Sequence, residues 1–183
     1  RRIIDALPTL QSHTFYLTLY SLGLRLREAT ALQVRDILSD RGLVHIHIGK
    51  GSMDRMVPLP NITLSALRQY YKTHRNSKWI FPALGHNGGK DAQFAKIHVS
   101  DSGVQGVLQR TLKRLKFKKH VHPHVFRHAY ATHLLEANIP IRHVQQILGH
   151  KTLQSTMVYL HVTTQAQTDS HERVAQVMQG VLS

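Results

Sequence analysis

Apolar positions early in the chain recur at helical spacing. Leu17, Tyr20 and Leu24 lie three or four residues apart, which predicts a helix over residues 14–34. Gly23 falls inside that stretch and predicts a break or kink there. The period then shortens to two. Leu43-Val44-His45-Ile46-His47-Ile48 alternates apolar and polar residues, as a half-buried strand does, and Arg55-Met56-Val57-Pro58-Leu59 returns as a second strand. Between them Gly49-Lys50-Gly51-Ser52-Met53-Asp54 supplies turn chemistry, so a β-hairpin is predicted with Lys50 near its tip.

Helical periodicity resumes over residues 63–74. Trp79-Ile80-Phe81 reads as a buried extended segment, and residues 82–100, with Gly85, Gly88 and Gly89, as a mobile loop or a partner-contacting insertion. Asp101 or Ser102 offers a cap for a helix running to about residue 116, with Leu108, Leu112 and Leu115 on one stripe. Further helices are predicted over 124–137, over 140–148 with Pro140 in the first turn and Gly149 ending it, over 152–159 and over 165–181. No internal repeat or low-complexity tract interrupts the series. The expected fold class is mainly α with a small antiparallel β-sheet, an α+β domain.

Charge changes the picture from fold to partner. The 183 residues carry 24 Lys plus Arg against 10 Asp plus Glu, a formal net charge of +14. Such an excess most often serves a polyanion, with nucleic acid the commonest, and a merely solubilising surface is the alternative. The basic residues are densest at Arg110, Lys113, Arg114, Lys116, Lys118 and Lys119. Because Leu108 and Leu112 give the same helix a core-facing stripe, nucleic acid is favoured over a membrane surface as the partner. An apolar fraction of 42% is too high for a basic disordered tail. The sequence has no cysteine, which removes thiol catalysis, iron–sulfur clusters and Cys-containing zinc sites. No apolar run approaches the roughly 18–20 residues of a membrane helix. A cytoplasmic, nucleoid-associated protein is expected, and the Arg1-Arg2-Ile3 start without methionine is expected of a fragment of a longer chain.

Three stretches carry polar residues where helices are usually bland: Gly23-Leu24-Arg25-Leu26-Arg27-Glu28, His124-Val125-Phe126-Arg127-His128, and Leu148-Gly149-His150 followed by Thr156 and Tyr159. His124 and Arg127, three apart, emerge from one helix face. Two guanidiniums, Arg25 and Arg127, with the imidazoles of His124 and His150, make poor core but suit one phosphate, since arginine presents a planar donor fork. Fixed donors aimed at the non-bridging oxygens would stabilise a pentavalent phosphorus. Tyr159 is then the natural nucleophile, and Lys50 a candidate general acid for the leaving oxygen.

In order and spacing these pieces resemble the catalytic domain of the tyrosine recombinases, the phage-integrase family, including Xer-type and integron integrases. The strings GLRLRE, IGKG before RMVPL, HVFRHAYATHLL, LGH and STMVYLHV carry the resemblance. It implies that Arg25, Lys50, His124, Arg127, His150 and Tyr159 are catalytic, with Glu28 orienting the first arginine. It implies a 3′-phosphotyrosyl intermediate, strand exchange through a Holliday junction on double-stranded DNA, a synaptic tetramer, and no cofactor. It divides the chain into a linker remnant at 1–6, a catalytic domain at 7–162 and a C-terminal helix at 163–183 that docks on its own domain or on a neighbouring protomer, with the N-terminal core-binding domain absent. A non-cutting DNA-binding relative and a type IB-like topoisomerase are the alternatives. The basic patch from Arg110 to Lys119 is either a duplex contact or a solvated face. His120, His122, His124 and His128 have no carboxylate partner nearby in sequence, so no metal site is expected.

Overall fold

The computed structural model describes residues 2–47, 54–85 and 91–159. Its contacts divide into two units, residues 1–127 and 128–183, and each is described by itself. The described elements are α1 (Arg2–Asp5), α2 (Leu10–Ser21), α3 (Leu26–Thr30), β1 (Ile37–Leu38), β2 (Leu43–Ile46), β3 (Arg55–Pro58), α4 (Asn61–His74), α5 (Asp101–Arg114), α6 (Pro123–Glu136), α7 (Ile141–Leu148) and α8 (Gln154–Met157). The fold is mostly helical with one small antiparallel sheet, in the order β1-β2-β3.

Gly23 breaks the first predicted helix outright. At φ +58° it is left-handed, and the Leu24 N–H closes the turn on the Leu19 carbonyl at 3.0 Å. α3 then starts afresh after Arg25. The hairpin pairs Val44 with Val57 and Ile46 with Arg55. Alternation places Val44, Ile46, Val57 and Arg55 inward, and only the last of these is charged. The sheet has a third strand, β1, whose two residues are too few for a sequence period to register.

The core of the first unit is aromatic. Phe15 lies edge-on to Phe81 at 5.1 Å, and Tyr70 stacks on Phe81 at 5.7 Å. Tyr16 is fully buried and donates its hydroxyl to the Val104 carbonyl at 3.0 Å, tying α2 to α5. Leu108 and Leu112 are buried as their stripe predicts, whereas Leu115, which caps the end of α5, is half-buried. That helix is capped by Ser100, whose hydroxyl accepts from the Gly103 N–H at 3.0 Å, rather than by Asp101 or Ser102. Asp101 is instead used in tertiary contacts, accepting from Thr30 at 3.0 Å. Pro140 precedes α7 as its cap residue, and Gly149 ends that helix at φ +65°.

The irregular stretch after Phe81 is organised by one side chain. Asn76, 2% exposed, donates its amide to the carbonyls of Ala92, Gln93 and Ala95 at 2.9–3.1 Å and accepts from the N–H groups of Lys78 and Trp79. Val99 N–H to Phe81 O and Ala83 N–H to Ile97 O complete the attachment. The segment around residues 91–99 is therefore a pinned connection. Asn76→Ala orphans several buried backbone groups at once and is expected to cost about 2–4 kcal/mol. Urea denaturation checks this, and a midpoint within error of wild type would contradict it.

Candidate active site

The centre of the first unit is a carboxylate. Glu28 sits in the first turn of α3, and its Oε2 accepts the Arg25 backbone N–H at 2.8 Å, satisfying a donor the helix start leaves open. The Arg25 guanidinium also donates to Oε1 at 2.8 Å. From β3, Arg55 donates through both terminal nitrogens, at 2.9 Å to Oε1 and 2.7 Å to Oε2. Arg127, in the first turns of α6, brings a guanidinium nitrogen to 4.0 Å from Oε2. The side chains of Glu28, Arg55 and Arg127 are only 5–7% exposed, while that of Arg25 is 38% exposed.

A buried carboxylate is costly unless paired, and two-point pairing with arginine is the geometry that offsets the cost. Burial alone would raise the Glu28 pKa. Hydrogen bonding and charge from Arg55, then Arg25, overcome it and hold the group below its ordinary value. Arg127 is fixed a second time, donating to the Gly23 carbonyl at 2.6 Å. The left-handed glycine that ends α2 thus also supplies an acceptor for the arginine.

His124, one turn before Arg127, is exposed. Its pKa is lowered first by partial burial and then by the nearby His122, Arg127 and Arg25 charges, so the neutral imidazole is favoured at neutral pH. His120, His122 and His124 lie ring beside ring, with centroids 6.2 and 6.0 Å apart. Arg25 and Glu28 also line an open cavity of about 630 Å³.

In the second unit Tyr159 is 6% exposed and packs with Ala131, Leu135, Val144 and Leu148. Its hydroxyl meets His128 Nδ1 at 2.9 Å, and its ring lies nearly parallel to His150 with centroids 6.2 Å apart. His150 is fixed through Nδ1 by the hydroxyl of fully buried Thr156 at 2.9 Å. An oriented imidazole therefore flanks a phenol held by a second imidazole.

The first unit brings together Arg25, Glu28, His124 and Arg127, and the second brings together His150 and Tyr159. Lys50 and the helix predicted over 165–181 lie outside the described residues. Arg110, Lys113, Arg114, Lys116, Lys118 and Lys119 are all exposed, and Arg114 donates to the Ala6 carbonyl. One residue, Arg55, escaped the sequence reading. Arg55 had a signal, because strand alternation puts it on the same face as Val57, and a charge at an inward position needs a partner. The sequence reads His128 only as a packed or hydrogen-bonded histidine, and its partner, a tyrosine 31 positions on, is not readable from it.

A family model described as the phage integrase family matches residues 1–166. A tyrosine recombinase of Thermosipho africanus is 36% identical over 165 residues, covering 90% of this chain and 54% of the relative. The chain spans about half the length of the curated relatives it matches. Among solved structures, the crystal structure of XerA recombinase superposes with a TM-score of 0.77 at 25% identity, over 94% of this chain and 61% of that one. XerH site-specific recombinase bound to palindromic difH substrate, in a post-cleavage complex, superposes with a TM-score of 0.71 at 21% identity, over 93% and 49%.

Glu28→Gln would leave the buried Arg55 and Arg127 without their counter-charge, at an expected cost of about 3–5 kcal/mol near pH 7. Because the Glu28 pKa is depressed on folding, this stabilisation is complete above the ordinary value of 4.5 and is lost as pH falls through the lowered folded value. Urea midpoints of wild type and variant should differ widely at neutral pH and converge in acid. An equal gap at both pH values would contradict the pairing.

Proposed function

Since the chain belongs to the phage integrase family, we propose that it breaks and rejoins double-stranded DNA by site-specific recombination, with Tyr159 as nucleophile. The observation that carries this reading is the convergence on Glu28 of Arg25 and Arg127, two arginines about a hundred residues apart in sequence. Guanidiniums fixed by a shared carboxylate form a rigid donor array suited to a phosphate.

In this reading Arg25 and Arg127 bind the non-bridging oxygens of the scissile phosphate, and neutral His124 adds a donor. His150, oriented by Thr156 through Nδ1, donates to the same group through Nε2. The Tyr159 oxygen attacks phosphorus while the bond to the 5′-oxygen breaks, leaving a 3′-phosphotyrosyl ester and a free 5′-hydroxyl. We assign the phenol's proton to His128, already its partner, and the proton delivered to the 5′-oxygen to Lys50. The ester keeps the energy of the broken bond, so attack by a 5′-hydroxyl on the partner duplex reseals without ATP, by way of a Holliday junction. Neither a cofactor nor a metal enters these steps.

The exposed basic residues from Arg110 to Lys119 hold the duplex backbone, which positions without reading sequence. We assign residues 7–162 to the catalytic domain, 1–6 to a linker and 163–183 to a C-terminal segment that docks either on its own domain or on a neighbouring protomer of a tetramer. The setting is the nucleoid or a mobile element. A non-cutting relative is disfavoured because Tyr159 and its partner residues are all present. A type IB-like topoisomerase shares the chemistry but not the LGH and VFRHAYATHLL strings.

A pool of nicked suicide duplexes with randomised arms tests this, with the chain at saturating concentration and adducts resolved on a denaturing gel. Wild type is expected to form a covalent protein–DNA adduct, and Tyr159→Phe to form none while still binding duplex. An adduct that persists in Tyr159→Phe, or none from wild type, would sink the assignment. Efficient relaxation of a supercoiled plasmid lacking any captured site would favour the topoisomerase.

A further inference from the structure

We propose that His45, His47 and Asp54, at the base of the β2–β3 hairpin, form a site for one divalent transition-metal cation of the zinc class. The placement follows from strand geometry. His45 and His47 are two apart and so share the outward face of β2. Ile46 pairs with Arg55, so Asp54 falls on the next rung, opposite His47. Seven residues of sequence separation hide this meeting, and the hairpin creates it.

The donor atoms converge on one point. Asp54 Oδ2 lies 3.1 Å from His45 Nε2 and 2.9 Å from His47 Nδ1, and the three candidate ligand atoms all fall within 4.8 Å of one another. Metal bonds of about 2.0–2.2 Å need tetrahedral ligand atoms about 3.3 Å apart, an expansion of a few tenths of an ångström for the two histidine–carboxylate separations. The side chains are 30–45% exposed, which leaves water access for a fourth ligand.

The other nitrogen of His47 supplies the second observation. Nε2 lies 3.1 Å from Oδ1 of Asp36, whose side chain is 4% exposed and whose second oxygen accepts the Gln33 N–H at 2.8 Å. A carboxylate on the far nitrogen is the usual orienting partner of a metal-bound histidine. It also creates a donor conflict. A neutral imidazole has one N–H, yet His47 faces a carboxylate oxygen at each nitrogen. A cation between Nδ1 and Asp54 removes the conflict, leaving the N–H on Nε2 for Asp36. A second proton on the ring is the competing solution.

Two imidazoles and one carboxylate favour zinc, nickel, cobalt or copper over magnesium or calcium. Bound there, the ion would join β2 to β3 at the mouth of the segment that carries Lys50. The cavity lined by His45, His47 and Asp36 is also lined by Arg25 and by Trp79, the only tryptophan in the sequence. Trp79 is thus a built-in reporter for a paramagnetic ion.

The test is calorimetric titration of the metal-free chain with zinc chloride, in parallel with cobalt chloride read by Trp79 fluorescence and by the visible bands of four-coordinate cobalt. Wild type is expected to bind one equivalent that quenches Trp79. His45→Ala at a half-buried position and Asp54→Asn at an exposed one, both checked for unchanged circular dichroism, should weaken that equivalent by about tenfold or more. A His120→Ala/His122→Ala double variant should keep it, which separates the hairpin from the other histidines. Affinity and quenching unchanged in His45→Ala and Asp54→Asn, or no zinc uptake by wild type, would overturn the proposal and leave the proton as occupant.

Discussion

One buried carboxylate organises the chemistry-bearing part of this chain. Glu28 cannot be withdrawn from water alone, and the arginines that make its burial tolerable come from three separate elements: the start of α3, β3 and the first turns of α6. Folding the helical layer onto the sheet therefore brings Arg25, Arg55 and Arg127 together as a condition of stability. Of the two arginines with buried side chains, Arg55 is held by both Glu28 oxygens and Arg127 by Glu28 and the Gly23 carbonyl. Arg25 keeps more than a third of its side chain in solvent while one nitrogen is anchored. An anchored yet reachable guanidinium is what a phosphate site needs.

The second unit is arranged differently. Its tyrosine is buried in an apolar cluster and satisfied by an imidazole, so the phenol pays no desolvation penalty in the absence of DNA. Thr156, fully buried, fixes His150 beside it. That partner, His128, takes the phenol's proton as the oxygen attacks in the proposed chemistry. In the proposed chemistry the first unit thus supplies preset electrostatics and the second a nucleophile kept in reserve.

Much of this was legible in the sequence because the helices and the hairpin are strongly periodic. Leu108 and Leu112 are buried as their stripe requires, and Gly23 interrupts the first helix where its missing side chain permits a left-handed turn. The two-residue strand β1 was invisible because a period needs more than one repeat. The segment after Phe81 looked loose because its order comes from Asn76, a single polar side chain whose partners lie 16 to 19 positions on. At the site, residue identity and spacing named Arg25, His124, Arg127, His150 and Tyr159, and the family resemblance added Glu28. Arg55 was missed, although its inward register on β3 demanded a buried counter-charge. The His45, His47 and Asp54 cluster depends on hairpin register, which chemistry-based spacing rules do not capture.

In the proposed chemistry, charge fixed by Glu28 acts on the negative charge developing at phosphorus. That action is tested most directly by replacing one non-bridging oxygen of the scissile phosphate with a methyl group. On the ordinary diester Arg25→Ala should slow covalent adduct formation by about 10²–10³. On the neutral methylphosphonate the same variant should come within about tenfold of wild type, because there is less charge left for the arginine to neutralise. An equal deficit on both substrates would contradict the account and reduce Arg25 to a structural partner of Glu28.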